Sequence, residues 1–171
     1  MSELKIYKNK ENAIIPTKAT EGSACYDLMS AFKEGDKITT YNSWNKQCYV
    51  PAKVIAGKVG FQLHPNNRVL VPTGLIFDVP ENHVLKMYVR SSVALKKGLV
   101  MVNGVGIIDS DYVNESYILL QNISDSLVVI EANERLAQVE LEKLSKYSVT
   151  ETTDKPAQKT DRTGGIGSTG K

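Results

Sequence analysis

The 171-residue chain is poor in the residues that most often carry metal or redox chemistry, with two cysteines, two histidines and one tryptophan. Cys25 and Cys48 form neither a CxxC pair nor a disulfide framework, so reduced thiols are expected. His64 and His83 lie far apart, outside any zinc-like spacing, and are read as surface or loop residues. No apolar run is long enough to span a bilayer, and the polar residues 1–10 lack the apolar core of a signal peptide. The expected compartment is therefore the cytoplasm, with no membrane contact. Charge of one sign is also scarce. Lys and Arg number 21 against 19 acidic residues, a net charge of +2, and no clustered basic face announces a nucleic-acid partner.

What is present is an ordinary globular composition, 42% hydrophobic and 23% charged, at a length that suits one domain. Short Val-, Ile- and Leu-rich runs bounded by Pro, Gly, Asn and Asp recur along the chain. They predict strands over 13–15, 54–63, 69–71, 74–79, 84–89, 99–102, 117–121, 127–130 and 137–141. Many short strands separated by turns imply an all-β sandwich, barrel or jelly roll. One helix is predicted over 92–97, capped by Ser91 or Ser92 and stopped by Gly98, with Lys96 and Lys97 in its last turn. From about Ser148 the chain turns polar and aperiodic, and its last eleven residues hold four glycines. The expected organisation is a β-domain over 1–150 and a flexible C-terminal arm over 151–171. The stretch over 41–67, with Trp44 and Cys48, reads as an extra surface hairpin, with a partner-binding excursion as the alternative.

Three segments could carry chemistry. Arg90-Ser91-Ser92 stands where a strand gives way to a helix, and free N–H groups, two hydroxyls and a guanidinium there suit a phosphate. The bland alternative is a capping serine beside a solvated arginine. Residues 104–112 flank apolar positions with glycines and then bring Asp109, Asp111 and Tyr112 close together. On a strand, 109 and 111 would share one face, and two carboxylates on one face suit a metal or a general base. A hairpin turn with solvated Asp residues would look the same. Residues 165–171 match the start of a P-loop, but the Ser/Thr is missing and neither a preceding strand nor a following helix is available, so that reading is rejected. A glycine-rich end can still wrap a phosphate chain with its amides.

Taken in order, five segments resemble the motifs of the trimeric dUTPase family: Gly22-Ser23-Ala24-Cys25-Tyr26-Asp27-Leu28, Arg90-Ser91-Ser92-Val93-Ala94, residues 103–112 followed by Glu115, Asn133-Glu134-Arg135-Leu136-Ala137-Gln138, and residues 162–170. The resemblance covers residues 22–170, nearly the whole chain, and its third segment is the most specific. It implies a distorted jelly-roll fold with one short helix, a homotrimer with active sites shared at subunit interfaces, and hydrolysis of dUTP by water attacking the α-phosphate.

By the same resemblance Asp109 is the general base, and Mg²⁺ sits on the triphosphate with Asp27 holding its waters. Arg90, Ser91, Ser92 and Gln138 bind phosphate. Asn103, Gly106 and neighbouring main-chain groups read uracil, and Tyr112 lies beneath the deoxyribose. Arg162, Ile166, Gly167, Ser168 and Thr169 belong to an arm that closes over the γ-phosphate. Cys25 replaces a usual glycine, Val113-Asn114 a usual Arg-Gly, and Ile166 the phenylalanine expected to stack on the base. A dCTP deaminase of the same fold would carry a different third segment. A catalytically silent regulatory trimer would not require Asp109, Tyr112 and Gln138.

Overall fold

The computed structural model describes residues 3–162, 164 and 165. Among these, the regular structure is almost entirely antiparallel sheet. β1 (Lys5–Lys8) pairs with β8 (Leu75–Asp78) in a two-stranded ribbon. A five-stranded sheet runs in the order β10 (Leu99–Met101), β12 (Tyr117–Asn122), β7 (Arg68–Pro72), β3 (Lys37–Tyr41), β4 (Gln47–Pro51). A four-stranded sheet orders β11 (Gly106–Ile108), β9 (His83–Val89), β14 (Arg135–Lys143), β2 (Tyr26–Met29). A third sheet orders β13 (Val128–Glu131), β6 (Lys58–Leu63), β5 (Lys53–Ile55).

The sheets share one core, to which the central strands contribute alternate side chains, with the alternation broken in β14 at its bulge. β12 buries Ile118, Leu120 and Asn122, β7 buries Val69 and Val71, and β14 buries Leu136, Ala137 and Val139. Phe32 and Phe61 meet edge to face at 5.3 Å in this core. Burying a side chain of this size stabilises by about 1.5–3 kcal/mol. The buried amide of Asn122 is fully used: Nδ2 donates to the carbonyls of Leu63 and Ser126, and Oδ1 accepts from Ser124.

The helix, α1 (Ser91–Lys97), follows β9 directly. Its stop matches the sequence expectation: Gly98 adopts φ 61° and donates its amide to the Ala94 carbonyl. A Cβ there would also lie 2.9 Å from Ser124 Cβ. Its start differs. Arg90 is the N-cap residue, with no side-chain cap bond, so neither serine caps and both hydroxyls stay exposed.

Other expectations need correction. The run over 13–15 is not a strand. Pro16 disfavours extended pairing beyond it, and only Thr17 makes an isolated bridge, to Asp27. The run over 54–63 is split into β5 and β6 by a turn in which Ala56 and Gly57 have φ 49° and 82°. The stretch over 41–67 holds the tip and second strand of the β3–β4 hairpin, with an 84% exposed Trp44 at the tip, and the whole β5–β6 hairpin. Beyond β14, Leu144 donates to the Asn82 carbonyl, and residues 145–162 are exposed and form no strand or helix. No helix among the described residues is long and apolar enough to cross a membrane.

Candidate active site

The four-stranded sheet brings three of the expected residues together. Gln138 on β14 is directly opposite Asp27 on β2 and Tyr88 on β9, so the three share one face. Arg90, one residue past β9, reaches the same place: its Nε lies 3.0 Å from Asp27 Oδ1. The Asp27 carboxylate is only 10% exposed, and such a group is costly to bury without compensation. It receives a second cation that sequence reasoning did not single out, Arg135, whose Nη1 lies 3.2 Å from Asp27 Oδ2. The signal for Arg135 was present, since the residue lies inside the fourth family-like segment. Its contact with Asp27 exists only because β2 and β14 pair. Ser91 and Ser92 lie next to Arg90, at the exposed start of α1.

On the same sheet, Glu140 accepts hydrogen bonds from the Tyr88 hydroxyl at 3.1 Å and the Cys25 thiol at 3.8 Å. Burial first, and Glu140 second, push the Cys25 thiol and the Tyr88 phenol above their ordinary ranges. The side chain at position 25, where glycine was expected, is thus accommodated as a protonated thiol.

The third segment forms a second cluster. Asn103, Gly106 and Tyr112 line a pocket of about 300 Å³, together with Met87, Ile108 and Ser116. Two larger hollows, about 690 and 630 Å³, contain neither Arg90 nor Asp109, and the first shares Leu70 and Tyr117 with this pocket. Gly106 lies close to its partner strand: a Cβ would sit 3.0 Å from Met87 Cβ, so a side chain there would push Met87 aside. The resemblance implies a hairpin over 103–109, but the strands on either side of the 102–105 turn do not pair with each other: β10 pairs with β12 and β11 with β9, in different sheets. The turn is a link between sheets, and Gly104 supplies the positive φ of 70° that the link needs.

Asp109 follows the last residue of β11 and is exposed. It does not share a strand face with Asp111, because residues 109–112 form a turn in which the Tyr112 amide donates to the Asp109 carbonyl. Tyr112 is fixed by its own loop, donating its hydroxyl to the Glu115 carbonyl at 3.0 Å. Glu115 in turn anchors the loop: its carboxylate accepts from the Gly74 amide and the Asn9 side chain and pairs with Lys10. Burial, then Glu115, raises the nearby Tyr117 phenol.

Arg162 folds onto its own segment, donating to the carbonyls of Gly164 and Gly165. Ile166, Gly167, Ser168 and Thr169 lie outside the described residues.

The comparisons agree on what this arrangement resembles. Residues 55–170 match the dUTPase family model. The deoxyuridine 5'-triphosphate nucleotidohydrolase of Hydrogenobaculum sp. is 35% identical over 169 residues, covering 98% of this chain and 98% of that one. The protein of the same name from Rhizobium etli (strain CFN 42) is 36% identical over 163 residues, covering 95% and 88%. The crystal structure of dUTPase from Streptococcus mutans has a TM-score of 0.63 at 26% identity, covering 86% of this chain and all of that one. The Staphylococcus bacteriophage 80alpha dUTPase G164S mutant with dUpNHpp has a TM-score of 0.71 over 99% of both chains at 20% identity, which speaks for the fold alone. With the family segments in order, both residue clusters formed and relatives matched over nearly their whole length, the chain belongs to the dUTPase family.

Proposed function

We propose that this chain hydrolyses dUTP to dUMP and pyrophosphate, with water attacking the α-phosphorus. The observation that carries this reading is the family match over 55–170, in a chain that retains both a carboxylate–guanidinium cluster and a small pocket beside Tyr112.

In this reading Asn103, Gly106 and neighbouring main-chain groups take the uracil edge, and Tyr112 lies under the deoxyribose. Cytosine is rejected because its reversed donor and acceptor would leave buried groups unpaired. Arg90, Ser91, Ser92 and Gln138 bind the phosphates. Asp109 orients the water and takes its proton. A carboxylate is a weak base, so positioning and charge neutralisation supply most of the acceleration. The arm over 151–171 brings Arg162, Ile166, Gly167, Ser168 and Thr169 over the nucleotide and sheds water as it closes.

The donor set fits a metal carried by the substrate. Among the described residues, no group of three or more His, Cys, Asp or Glu could cage an ion. The one acidic side chain in the phosphate cluster, Asp27, is already engaged by two guanidiniums. Mg²⁺ held by triphosphate oxygens and its own waters needs no more from the protein than a carboxylate touching a water, as Asp27 could supply. When bound, Mg²⁺ neutralises the developing phosphate charge.

The sheet register supports sites shared between copies, as in the homotrimer that the family resemblance implies. Asp27 is three strands across from β11 and, along β9, three positions from the partner of Ile108. At strand spacings this is about 14 Å by about 10 Å, roughly 17 Å in all. Asp109 lies one residue farther along. One phosphorus and its water cannot bridge that gap, so Asp109 of one copy works with Arg90 and Asp27 of another.

The test is to incubate the purified protein with dUTP or dCTP and Mg²⁺. Pyrophosphate from dUTP alone is expected. Ammonia from dCTP would instead indicate a deaminase, and silence would indicate a regulatory trimer.

A further inference from the structure

The cluster around Asp27 holds more positive charge than the carboxylate needs, and the backbone explains how. β14 carries a bulge between Arg135 and Ala137: Arg135 is opposite Met29, whereas Ala137 is already opposite Leu28. Bulges re-aim side chains and increase local twist. Here the bulge offers two consecutive carbonyls to Arg90. The Arg90 amide donates to the Leu136 carbonyl, and its Nη1 donates to the Arg135 carbonyl at 3.3 Å. The Arg135 guanidinium meanwhile reaches Asp27 Oδ2 at 3.2 Å.

The turn before the bulge is fixed independently. The Ser30 hydroxyl donates to the Glu131 carbonyl and accepts from the Glu134 amide, and Glu134 pairs with Lys97 of α1. The base of Arg135 is therefore held, even though its side chain is half exposed.

Arg90 has two claims on it. It pairs with Asp27 in this structure, and under the dUTP reading, on which this inference rests, it is needed by the phosphates. If it were the only partner of a carboxylate that is 10% exposed, moving it to substrate would strand a buried charge. Arg135 removes that cost, because it continues to neutralise Asp27 after Arg90 turns to the triphosphate. We infer that Arg135 is a positioning residue: it holds Asp27 so that Arg90 is free to bind the outer phosphates. The geometry assigns this task to the bulge, which brings both arginines onto one carboxylate while giving Arg90 a separate backbone anchor.

The test uses the full-length protein as wild type, Arg135→Gln and Arg135→Lys. Calorimetry measures binding of a non-hydrolysable imido analogue of dUTP and of dUMP, which lacks the outer phosphates, and steady-state kinetics gives KM and kcat. Arg135→Gln should weaken the analogue about tenfold, as expected for losing one charge-assisted contact, with dUMP affinity unchanged. KM should rise by a similar factor with kcat little changed, the signature of lost uniform binding. Arg135→Lys, which restores the charge, should stay within about threefold of wild type, since one ammonium can still reach one carboxylate oxygen. Equal losses for analogue and dUMP, no loss at all, or a lysine variant no better than glutamine would each overturn the inference alone. A wild-type protein that binds neither ligand would overturn the functional reading and this inference with it.

Discussion

In the proposed mechanism Asp109 works by where its carboxylate stands. It leaves β11 at the first position past the strand, and the turn closed by the Tyr112 amide holds it at the surface beside the base pocket. A general base has to reach the proton it removes, so position comes before basicity. Asp109→Asn keeps the size of the side chain and removes only the proton acceptor. It should leave binding of the imido analogue within about twofold while reducing kcat by a hundredfold or more, on the order of the usual general-base contribution. Retained turnover in a stopped assay would remove Asp109 from this role. Asp109, Tyr112, Asp27, Arg90 and Gln138 were singled out as candidates in the sequence because each sits in an ordered family-like segment, and the structure brings Asp27, Arg90 and Gln138 together. Arg135 was not singled out, since its partner Asp27 is 108 residues away and only strand pairing unites them. The expected common face of Asp109 and Asp111 failed because period-two alternation applies only while the strand continues, and here a turn intervenes.

At the scale of elements, the strands read best were those with continuous apolar runs, such as β9 and β12, where burial on one or both faces leaves a strong pattern. The strands β1 and β3–β4 were missed for the opposite reason. Lys5-Ile6-Tyr7-Lys8 and Lys37-Ile38-Thr39-Thr40-Tyr41 put lysine, threonine and tyrosine on their outer faces, so only tertiary pairing settles them as strands. The helix stop was legible because glycine at a left-handed cap has a local cause. Gly98→Ala would force a Cβ onto φ 61° and against Ser124. It should cost about 1–2 kcal/mol of stability, read as a lower denaturant midpoint with an unchanged slope. Because the α1 start and Arg90 are anchored separately through Leu136, dUMP binding should persist in that variant at temperatures where it remains folded.

At the scale of the whole molecule, the proposed base pocket is lined from the four- and five-stranded sheets, and the proposed phosphate cluster lies at the far side of the four-stranded sheet, roughly 17 Å from the end of β11. On the proposed reading, symmetric assembly would unite them without new residues, because a rotation about a closed axis would bring the pocket of each copy against the cluster of the next. The measurement that tests this most directly is subunit complementation. Asp109→Asn and Arg90→Ala proteins, each inactive alone, are unfolded together in equal amounts, refolded and assayed for pyrophosphate release from dUTP. If Asp109 and Arg90 act on one substrate from different chains, random mixing pairs an intact Asp109 with an intact Arg90 at about a quarter of the sites, and activity should return to about a quarter of the refolded wild-type value. A mixture that stays inactive, while refolded wild type recovers, would contradict the shared site.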